Sequence, residues 1–247
     1  MRLNNQVAIV TGVSHPGQIG FALADAFARE GARLTISARS AERVQARAQE
    51  MQAKGAKVLA VPADLTSEEG AHSLIARTLE TYGRVDILVN LAGGLTQVQP
   101  SAELPLAAWN AELNNNLLSA FLCTRAVWPV MRRQGYGKIL NFTRAGGVQS
   151  SGANMVAYNC AKAGIDALTL TFAKEGKQAG IFVNALAPGL VDTESNLEAM
   201  KPTPEELAAE WVSKDQVIKA ALFLVTPDSN GVTGAILPVV GIGIQHP

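Results

Sequence analysis

Short apolar runs alternate with longer segments of helical period along the whole chain. The runs predict buried strands at residues 7–10, 33–37, 58–61, 86–89, 138–142, 181–186 and 235–237. Apolar residues that recur every three or four positions predict helices at residues 18–30, 41–53, 67–81, 106–133 and 155–178. Pro202 and Pro204 interrupt the pattern, and two short helices are expected after them.

Strands that are apolar on both faces are typical of a parallel sheet with helices above and below it. Alternation of strand and helix through the whole chain predicts an α/β fold with a Rossmann-like, doubly wound parallel sheet. The chain shows no repeat, low-complexity tract or linker, so we expect residues 1–247 to form a single domain. Ligands of such sheets bind beyond the carboxyl ends of the strands, and candidate site residues should lie there.

The composition narrows the class of protein. Hydrophobic residues make up 48% of the chain and charged residues 17%, which is enough apolar material for a large core. Lys and Arg together number 21, as do Asp and Glu, so the chain lacks the basic surplus of a nucleic-acid-binding protein. No apolar run approaches the roughly 20 residues that a transmembrane helix needs, and the first run is too short for a secretory signal.

The cysteines and histidines limit the chemistry further. Cys123 and Cys160 lie inside predicted helices, which indicates a reducing cytoplasm rather than a disulfide-bonded secreted protein. The three histidines are scattered, so we expect no metal site. We therefore expect a cytoplasmic protein that binds neither nucleic acid nor a membrane.

A glycine-containing turn at residues 11–20 follows the first strand and opens the first helix. Glycines let the backbone approach a pyrophosphate, and the helix N-terminus presents free N–H groups to it. A tight structural turn would show the same glycines, but the position after the first strand favours a dinucleotide. The candidate contacts in this turn are Gly12, Ser14, Gly17, Ile19 and Gly20.

The end of the second strand indicates which dinucleotide is bound. A carboxylate at this point would bind the ribose 2′-hydroxyl of NAD, but this chain has Ala38 and Arg39. The planar guanidinium of Arg39 suits a 2′-phosphate, so NADP(H) is expected in preference to NAD(H). A solvated arginine at a helix start is the alternative interpretation.

Polar and small residues follow the third and fourth strands. Asp64, with Leu65 beside it, could bond the adenine amino group or cap the entry to the next helix, and both readings stay open. Asn90, Ala92 and Gly93 come after the fourth strand, where small residues keep the site open.

Tyr158 and Lys162 are four residues apart on a predicted helix and therefore share one face. A nearby ammonium favours the phenolate and is expected to lower the pKa of the tyrosine toward the range useful in catalysis. The same ammonium could hold the cofactor ribose. An ordinary surface Tyr–Lys pair has the same spacing.

In these motifs the chain resembles the short-chain dehydrogenase/reductase family from about residue 5 to 243. The resemblance rests on Thr11-Gly12 with Gly17 and Gly20, Asp64-Leu65, residues 90–93, Asn116, residues 158–162, and Pro188-Gly189 with Thr193. It implies a nicotinamide cofactor and a sheet of about seven parallel strands. It also implies a homotetramer or homodimer.

The resemblance implies a role for each matched residue. Tyr158 would be the general acid or base, Lys162 would hold the ribose hydroxyls, and Asn116 would order a water that relays protons. Further along the chain, the nicotinamide carboxamide would be held by Pro188, Gly189, Val191 and Thr193. Residues from about 192 to 213 would form a substrate lid. An apolar pocket could be made by Leu95, Val148, Leu190, Leu197, Met200 and Trp211, although packing within the lid is an equal alternative.

The chain departs from the family pattern at three places. The glycine turn is about two residues longer, with His15 and Pro16 inserted, and Leu91 replaces the usual second asparagine. The place of the family's serine, which holds the substrate oxygen, falls at Arg144 or Ala145. The nearest hydroxyl is Thr143, with Ser150 and Ser151 further along, and our hypothesis is that Thr143 substitutes.

The leading interpretation is an NADP(H)-dependent reductase or alcohol dehydrogenase that acts on a carbonyl or secondary alcohol. Within the family a 3-oxoacyl thioester is the commonest comparison, and oxidation of a sugar or secondary alcohol is the second choice. A different class, a nucleotide-binding protein with little or no catalysis, is favoured only by the missing serine and the altered turn.

Overall fold

The computed structural model describes residues 1–241 and contains one seven-stranded parallel sheet. The strands are β1 (Val7–Thr11), β2 (Arg33–Ala38), β3 (Val58–Pro62), β4 (Ile87–Asn90), β5 (Gly137–Phe142), β6 (Ile181–Pro188) and β7 (Ile236–Val239). Their order across the sheet is β3-β2-β1-β4-β5-β6-β7, and every neighbouring pair is parallel. The predicted doubly wound α/β sheet is confirmed.

Helices cover both faces of the sheet. They are α1 (Ile19–Arg29), α2 (Ala41–Ala53), α3 (Glu68–Tyr82), α4 (Leu106–Leu113), α5 (Ser119–Gln134), α6 (Val156–Gly176), α7 (Glu194–Met200), α8 (Pro204–Glu210) and α9 (Lys214–Val225). Buried residues of α1, α2 and α9 form one core layer, and those of α3, α5 and α6 form the other. Among residues 1–241, no helix combines the length and apolar character that crossing a bilayer requires.

Two helical predictions need correction. The stretch predicted as one helix at 106–133 is interrupted by a π-helical segment, Asn114–Leu118, between α4 and α5. A π segment keeps roughly the apolar period of a helix, so the sequence pattern did not reveal it. The region around Pro202 and Pro204 also differs, because α7 precedes the prolines and α9 is 12 residues long rather than short.

Side-chain caps explain where these last helices begin. The Thr193 hydroxyl accepts from the backbone N–H of Asn196 at the start of α7. Thr203 and Glu206 form a reciprocal capping box at the start of α8, where Pro204 occupies a position that needs no N–H donor. Ser213 and Gln216 repeat the capping box at the start of α9.

The strand order changes direction at β1, which has β2 on one side and β4 on the other. The chain therefore leaves β1 and β4 in opposite directions, and a crevice opens between their carboxyl ends. This crevice is the place where the sequence predicted the functional site.

Candidate active site

A cleft of about 1290 Å³ opens at the carboxyl ends of the strands. Most of the predicted site residues line it: Gly12, Ser14, Ile19, Gly20, Arg39, Asp64, Leu65, Ala92, Gly93, Thr143, Tyr158, Lys162, Pro188, Gly189, Val191 and Thr193. Gly17, Asn90 and Asn116 are predicted site residues that lie beside or beneath it. Among the described residues no cluster of three or more possible metal ligands occurs.

The glycine turn packs tightly against the end of β4. Gly12 has φ +78°, and a Cβ on Gly20 would lie 2.5 Å from the Gly12 carbonyl oxygen, so side chains are excluded at this bend. The Thr11 hydroxyl accepts hydrogen bonds from the backbone N–H groups of Leu91 and Ala92, both at 3.0 Å, and donates to the Val89 carbonyl. The backbone is thereby shaped as a cradle at the N-terminus of α1.

Helix α7 covers the same turn from the other side. The Glu194 N–H donates to the Gly17 carbonyl oxygen at 3.2 Å, and a Cβ on Gly17 would lie 2.7 Å from the Cβ of Glu194. Gly17 therefore contacts the first residue of α7, and the prediction that it contacts a cofactor stays a prediction.

Two arginines line the cleft beside the end of β2. Arg39 was predicted from the sequence, whereas Arg43, one helical turn later, was missed. The Arg43 guanidinium lies 3.0 Å from Nε2 of His15, which is one of the residues inserted in the glycine turn. The backbone N–H of Arg43 donates to the Ser40 hydroxyl. A second arginine four positions after the first, in the first turn of a helix, is the signal that could have identified it.

Asp64 forms the turn that leads into α3. Its carboxylate accepts from the Thr66 backbone N–H at 3.0 Å and from the Thr66 hydroxyl at 2.7 Å. These hydrogen bonds, with a smaller contribution from Arg39, hold the pKa of Asp64 below its usual range. Ser67, not Asp64, is the N-cap of α3, and an adenine contact by Asp64 stays a prediction.

Asn90 faces the protein interior. Its amide donates to the Thr124 hydroxyl at 3.0 Å and to Asn141 Oδ1 at 2.9 Å. The side chain thus ties β4 to β5 and to α5, and it does not belong to the residues that line the cleft. The predicted cofactor contact of Asn90 has no support in this geometry and stays untested.

Tyr158 and Lys162 lie on α6 beside the end of β5. Lys162 is 7% exposed, and its Nζ donates to the Phe142 carbonyl oxygen at 2.9 Å. The Nζ lies 5.5 Å from the centroid of the Tyr158 ring, so the predicted shared face is present. Burial lowers the pKa of Lys162 to about 8, although the Glu112 and Asp166 carboxylates raise it.

The expected lowering of the Tyr158 pKa by Lys162 is wrong for this structure. Burial raises the pKa of Tyr158, and the positive charge that opposes this rise is the guanidinium of Arg144. The physical reason is that the Lys162 ammonium is directed to the Phe142 carbonyl and lies against the phenol ring. The neutral phenol is consequently the favoured form.

The π-helical segment directs the Asn116 side chain toward the loop that follows β4. Asn116 is 1% exposed, and its side chain donates to the Gly94 carbonyl and accepts from the Gly94 N–H, both at 3.0 Å. Gly93 has φ +127°, and a Cβ there would lie 2.6 Å from Asn116 Oδ1. The asparagine therefore clamps this loop at the edge of the cleft.

Glu112 is a buried carboxylate that sequence reasoning missed. It is 1% exposed and accepts from the Thr96 N–H at 3.1 Å, from the Thr96 hydroxyl and from Asn116 Nδ2 at 3.3 Å. Its charge also raises the pKa values of Lys162 and Tyr158. The signal in the sequence is an acidic residue one helical turn before Asn116 in a largely apolar segment.

The hydroxyl predicted to replace the family's serine is engaged elsewhere. Thr143 is 4% exposed, and its hydroxyl donates to the Lys162 carbonyl oxygen at 3.1 Å. This contact gives the substitution hypothesis no support, and it stays a prediction. Ser151 lies on an exposed part of the same loop, and the Ser150 side chain lies outside the described structure.

The predicted apolar pocket is present only in part. Leu95, Leu190 and Met200 line the cleft. Val148 is exposed away from it, and Trp211 is buried against a separate small pocket beside α8 and α9. Leu197 is half-buried and does not line the cleft.

Comparisons with known proteins agree with this geometry. A family model described as short chain dehydrogenase matches residues 6–203. A subunit of (2S)-[(R)-hydroxy(phenyl)methyl]succinyl-CoA dehydrogenase from Thauera aromatica is 35% identical, with 98% of this chain and 97% of the relative covered. The 3-oxoacyl-[acyl-carrier-protein] reductase of Synechocystis sp. is also 35% identical, with 97% of each chain covered. The solved structure of an NAD⁺-bound xylitol dehydrogenase superposes with a TM-score of 0.88 at 27% identity, covering 98% of this chain and 100% of the other.

Proposed function

The chain belongs to the short-chain dehydrogenase family and is an oxidoreductase, and from that premise we propose that it moves hydride between NADP(H) and a carbonyl or secondary alcohol. The observation that carries the proposal is the pairing of Tyr158 with the buried Lys162 at the edge of the cleft.

The cleft fits a nicotinamide dinucleotide. The bend at Gly12 and Gly20 leaves backbone at the N-terminus of α1 for a pyrophosphate, and a side chain at Gly20 would disturb the bend because it would clash with the Gly12 carbonyl oxygen. Pro188, Gly189, Val191 and Thr193 line the far side of the same cleft, where we assign them to the carboxamide. A bound nicotinamide supplies or accepts the hydride.

The chain's own residues handle the proton. Because burial keeps the Tyr158 phenol protonated, its hydroxyl is suited to donate a proton to the oxygen of a carbonyl substrate. Lys162 lies behind the ring, where its ammonium can hold ribose hydroxyls. Asn116 positions the neighbouring loop through Gly94 and can order the water that returns protons.

NADP(H) is the proposed cofactor because positive charge lies where a 2′-phosphate would be held. Arg39 and Arg43 both line this end of the cleft, together with the Ser40 hydroxyl. No carboxylate follows β2 directly, whereas one there would favour the hydroxyl of NAD. The xylitol dehydrogenase with bound NAD⁺ has the same fold, so the choice depends on these local residues.

The proposed substrate is a small ketone or secondary alcohol, such as a 3-oxoacyl thioester. The names of the two relatives describe acyl substrates that are carried on coenzyme A or on acyl carrier protein. In this chain three apolar side chains line the cleft: Leu95, Leu190 and Met200. We assign residues 192–213 to a lid over this site, because α7 at its start contacts the glycine turn. Oxidation of a sugar or secondary alcohol is the second candidate.

We also propose that the chain is a single domain that works in a reducing cytoplasm as a homodimer or homotetramer. The unpaired thiols of Cys123 and Cys160 support a reducing compartment. Exposed apolar side chains on α6 and α9, Leu170 and Phe223, support association of subunits.

The function is tested by NADPH oxidation against a panel of ketones, oxo acids, their esters and 3-oxoacyl thioesters. We expect turnover of at least one member that depends on enzyme concentration. Tight binding of NADPH without turnover of any member would contradict the proposal and favour a nucleotide-binding protein without catalysis.

A further inference from the structure

Arg144 occupies a rigid position at the end of β5. The backbone N–H groups on either side of it continue the pairing with β6, because Thr143 donates to the Leu186 carbonyl at 2.9 Å and Ala145 donates to the Pro188 carbonyl at 3.0 Å. The residue is half-buried and lines the cleft. A side chain that starts from so fixed a backbone can present its charge in a defined place.

The guanidinium of Arg144 is held beside the proposed proton donor. It donates to Asn159 Oδ1 at 2.8 Å, and Asn159 in turn donates to the Gly152 carbonyl at 2.9 Å. Asn159 is the neighbour of Tyr158 on α6. The charge of Arg144 reaches the phenol, since it opposes the rise of the Tyr158 pKa.

The charges that line the cleft are mostly positive. The described cationic residues are Arg39, Arg43, Arg144 and Lys162, and the one described carboxylate in the lining is Asp64. Arg39, Arg43 and Asp64 follow β2 and β3, at the end assigned to the adenosine of the cofactor. Arg144 and Lys162 are therefore the charges of the lining that lie beside the reacting group, while the buried carboxylate of Glu112, which raises the pKa of Tyr158, does not line the cleft.

Of these two cations, Arg144 is the better anchor for a substrate. Both cations already donate to a protein oxygen, Lys162 to the Phe142 carbonyl and Arg144 to Asn159 Oδ1, so the choice rests on the shape of the guanidinium. A guanidinium presents a planar fork that matches the two oxygens of a carboxylate. A cation in a partly water-excluded cleft also favours an anion as its ligand.

We propose that Arg144 binds a free carboxylate of the substrate, close to the carbon that gains or loses hydride. The substrate class is then an oxo acid or hydroxy acid whose carboxylate is neither esterified nor amidated. This assignment rests on the proposed function, and it favours a free oxo acid over the 3-oxoacyl thioester named there, whose carboxyl group is esterified. If the Arg144 guanidinium instead held the reacting oxygen, the protein would act equally on acids and on their neutral derivatives.

The test compares each acid with its neutral isostere. With saturating NADPH, kcat/KM is measured for pyruvate, acetoacetate and levulinate and for their methyl esters, in wild-type protein and in Arg144→Gln. For at least one pair we expect wild type to prefer the acid, and Arg144→Gln to lower the acid-to-ester ratio by about 10²-fold. Arg144→Lys keeps the charge without the fork and should give an intermediate ratio. Arg43→Gln removes a cation at the other end of the cleft and should raise KM for NADPH without moving this ratio.

A binding measurement makes the result independent of turnover. Titration calorimetry compares lactate, 3-hydroxybutyrate and 4-hydroxypentanoate with their amides on the NADPH-loaded protein, where no hydride transfer can occur, and thermal melting verifies that the Arg144 variants are folded. At least one acid should bind 10-fold or more tightly than its amide in wild type and lose that advantage in Arg144→Gln.

Three results separate the inference from the proposed function. If no acid binds better than its amide, or if the preference survives in Arg144→Gln, the inference is overturned. Turnover of esters with an acid-to-ester ratio that Arg144→Gln leaves unchanged overturns the inference but keeps the oxidoreductase function. Binding of acids through Arg144 without turnover of any substrate supports the inference and contradicts the proposed function.

Discussion

Lys162 lies in surroundings that both oppose and support its charge. Burial lowers its pKa to about 8, while the carboxylates of Glu112 and Asp166 raise it. Glu112 reaches this position because the Thr96 backbone and side chain and the Asn116 amide satisfy its oxygens. At the scale of single residues, the pKa of Lys162 therefore depends on two opposing effects. Burial lowers it, and the buried carboxylate of Glu112, which does not line the cleft, raises it.

Replacing that carboxylate shifts the pH dependence of reduction. A charged Lys162 and a protonated Tyr158 are both lost as the pH rises, so they set the basic limb of kcat/KM. Since Glu112 raises both pKa values, Glu112→Gln is expected to move the basic limb to lower pH. A pH series of carbonyl reduction measures the shift. The exposed carboxylate Glu103, changed to Gln, is the control and should leave the profile unmoved; a basic limb that stays in place or rises in Glu112→Gln would exclude this role.

The proposed preference for NADP(H) also depends on single residues. If Arg39 and Arg43 share a 2′-phosphate, replacing either by Ala should weaken NADPH binding by about 10-fold or more, since each removes a charge-assisted hydrogen bond, and should leave NADH binding nearly unchanged. Fluorescence titration with NADPH and with NADH gives two dissociation constants for the wild type and for each variant. Equal affinity of wild type for NADPH and NADH would remove Arg39 and Arg43 from this role.

At the scale of elements, the site depends on irregular segments between the regular ones. The π-helical segment aims Asn116 at Gly94, and α7 meets the glycine turn through Glu194 and Gly17. A short capped helix and a π segment carry little periodicity of their own. This is the physical reason why the sequence predicted the strands and long helices but missed α7 and the break in the helix at 106–133.

The contact between α7 and the glycine turn can be tested by adding one methyl group. A Cβ at Gly17 would lie 2.7 Å from the Glu194 Cβ, so Gly17→Ala should push α7 away from the turn. We expect weaker NADPH binding, by several-fold, because the lid no longer closes over the cofactor. The double variant Gly17→Ala/Glu194→Gly relieves the clash and should recover most of the affinity. Failure of the second change to recover binding would place the effect in the turn itself rather than in the lid.

At the scale of the whole molecule, the features that depend on local sequence could be predicted, whereas those that depend on contacts between distant segments could not. Strands buried on both faces follow directly from continuous apolar runs, and they positioned Tyr158, Lys162 and the glycine turn correctly at one edge of the sheet. The hydrogen-bond partners of Lys162, Asn90 and Thr143 depend on which backbone and side-chain groups meet between elements that are separate in the sequence. Burial of Tyr158, which reversed the expected direction of its pKa, likewise arises only in the folded protein.

The whole molecule is also expected to associate with copies of itself. Leu170 on α6 and Phe223 on α9 are each 42% exposed, and a chain of zero net charge repels its copies weakly. The sequence also has an apolar segment at 234–244 that could bury against a partner, and residues 242–244 of it lie outside the described structure. Light scattering at micromolar concentration should give the mass of a dimer or tetramer. A monomer across that range would contradict the prediction.

The central claim is that the Tyr158 hydroxyl transfers the proton. The most direct test uses Tyr158→Phe, which removes that hydroxyl. NADPH affinity and single-turnover reduction of the best ketone are measured on the same preparation. We predict that NADPH binding stays within about 3-fold of wild type while the rate of reduction falls by about 10²–10⁴-fold, the usual contribution of a positioned general acid. A variant that binds NADPH normally and reduces the ketone at the wild-type rate would contradict the claim.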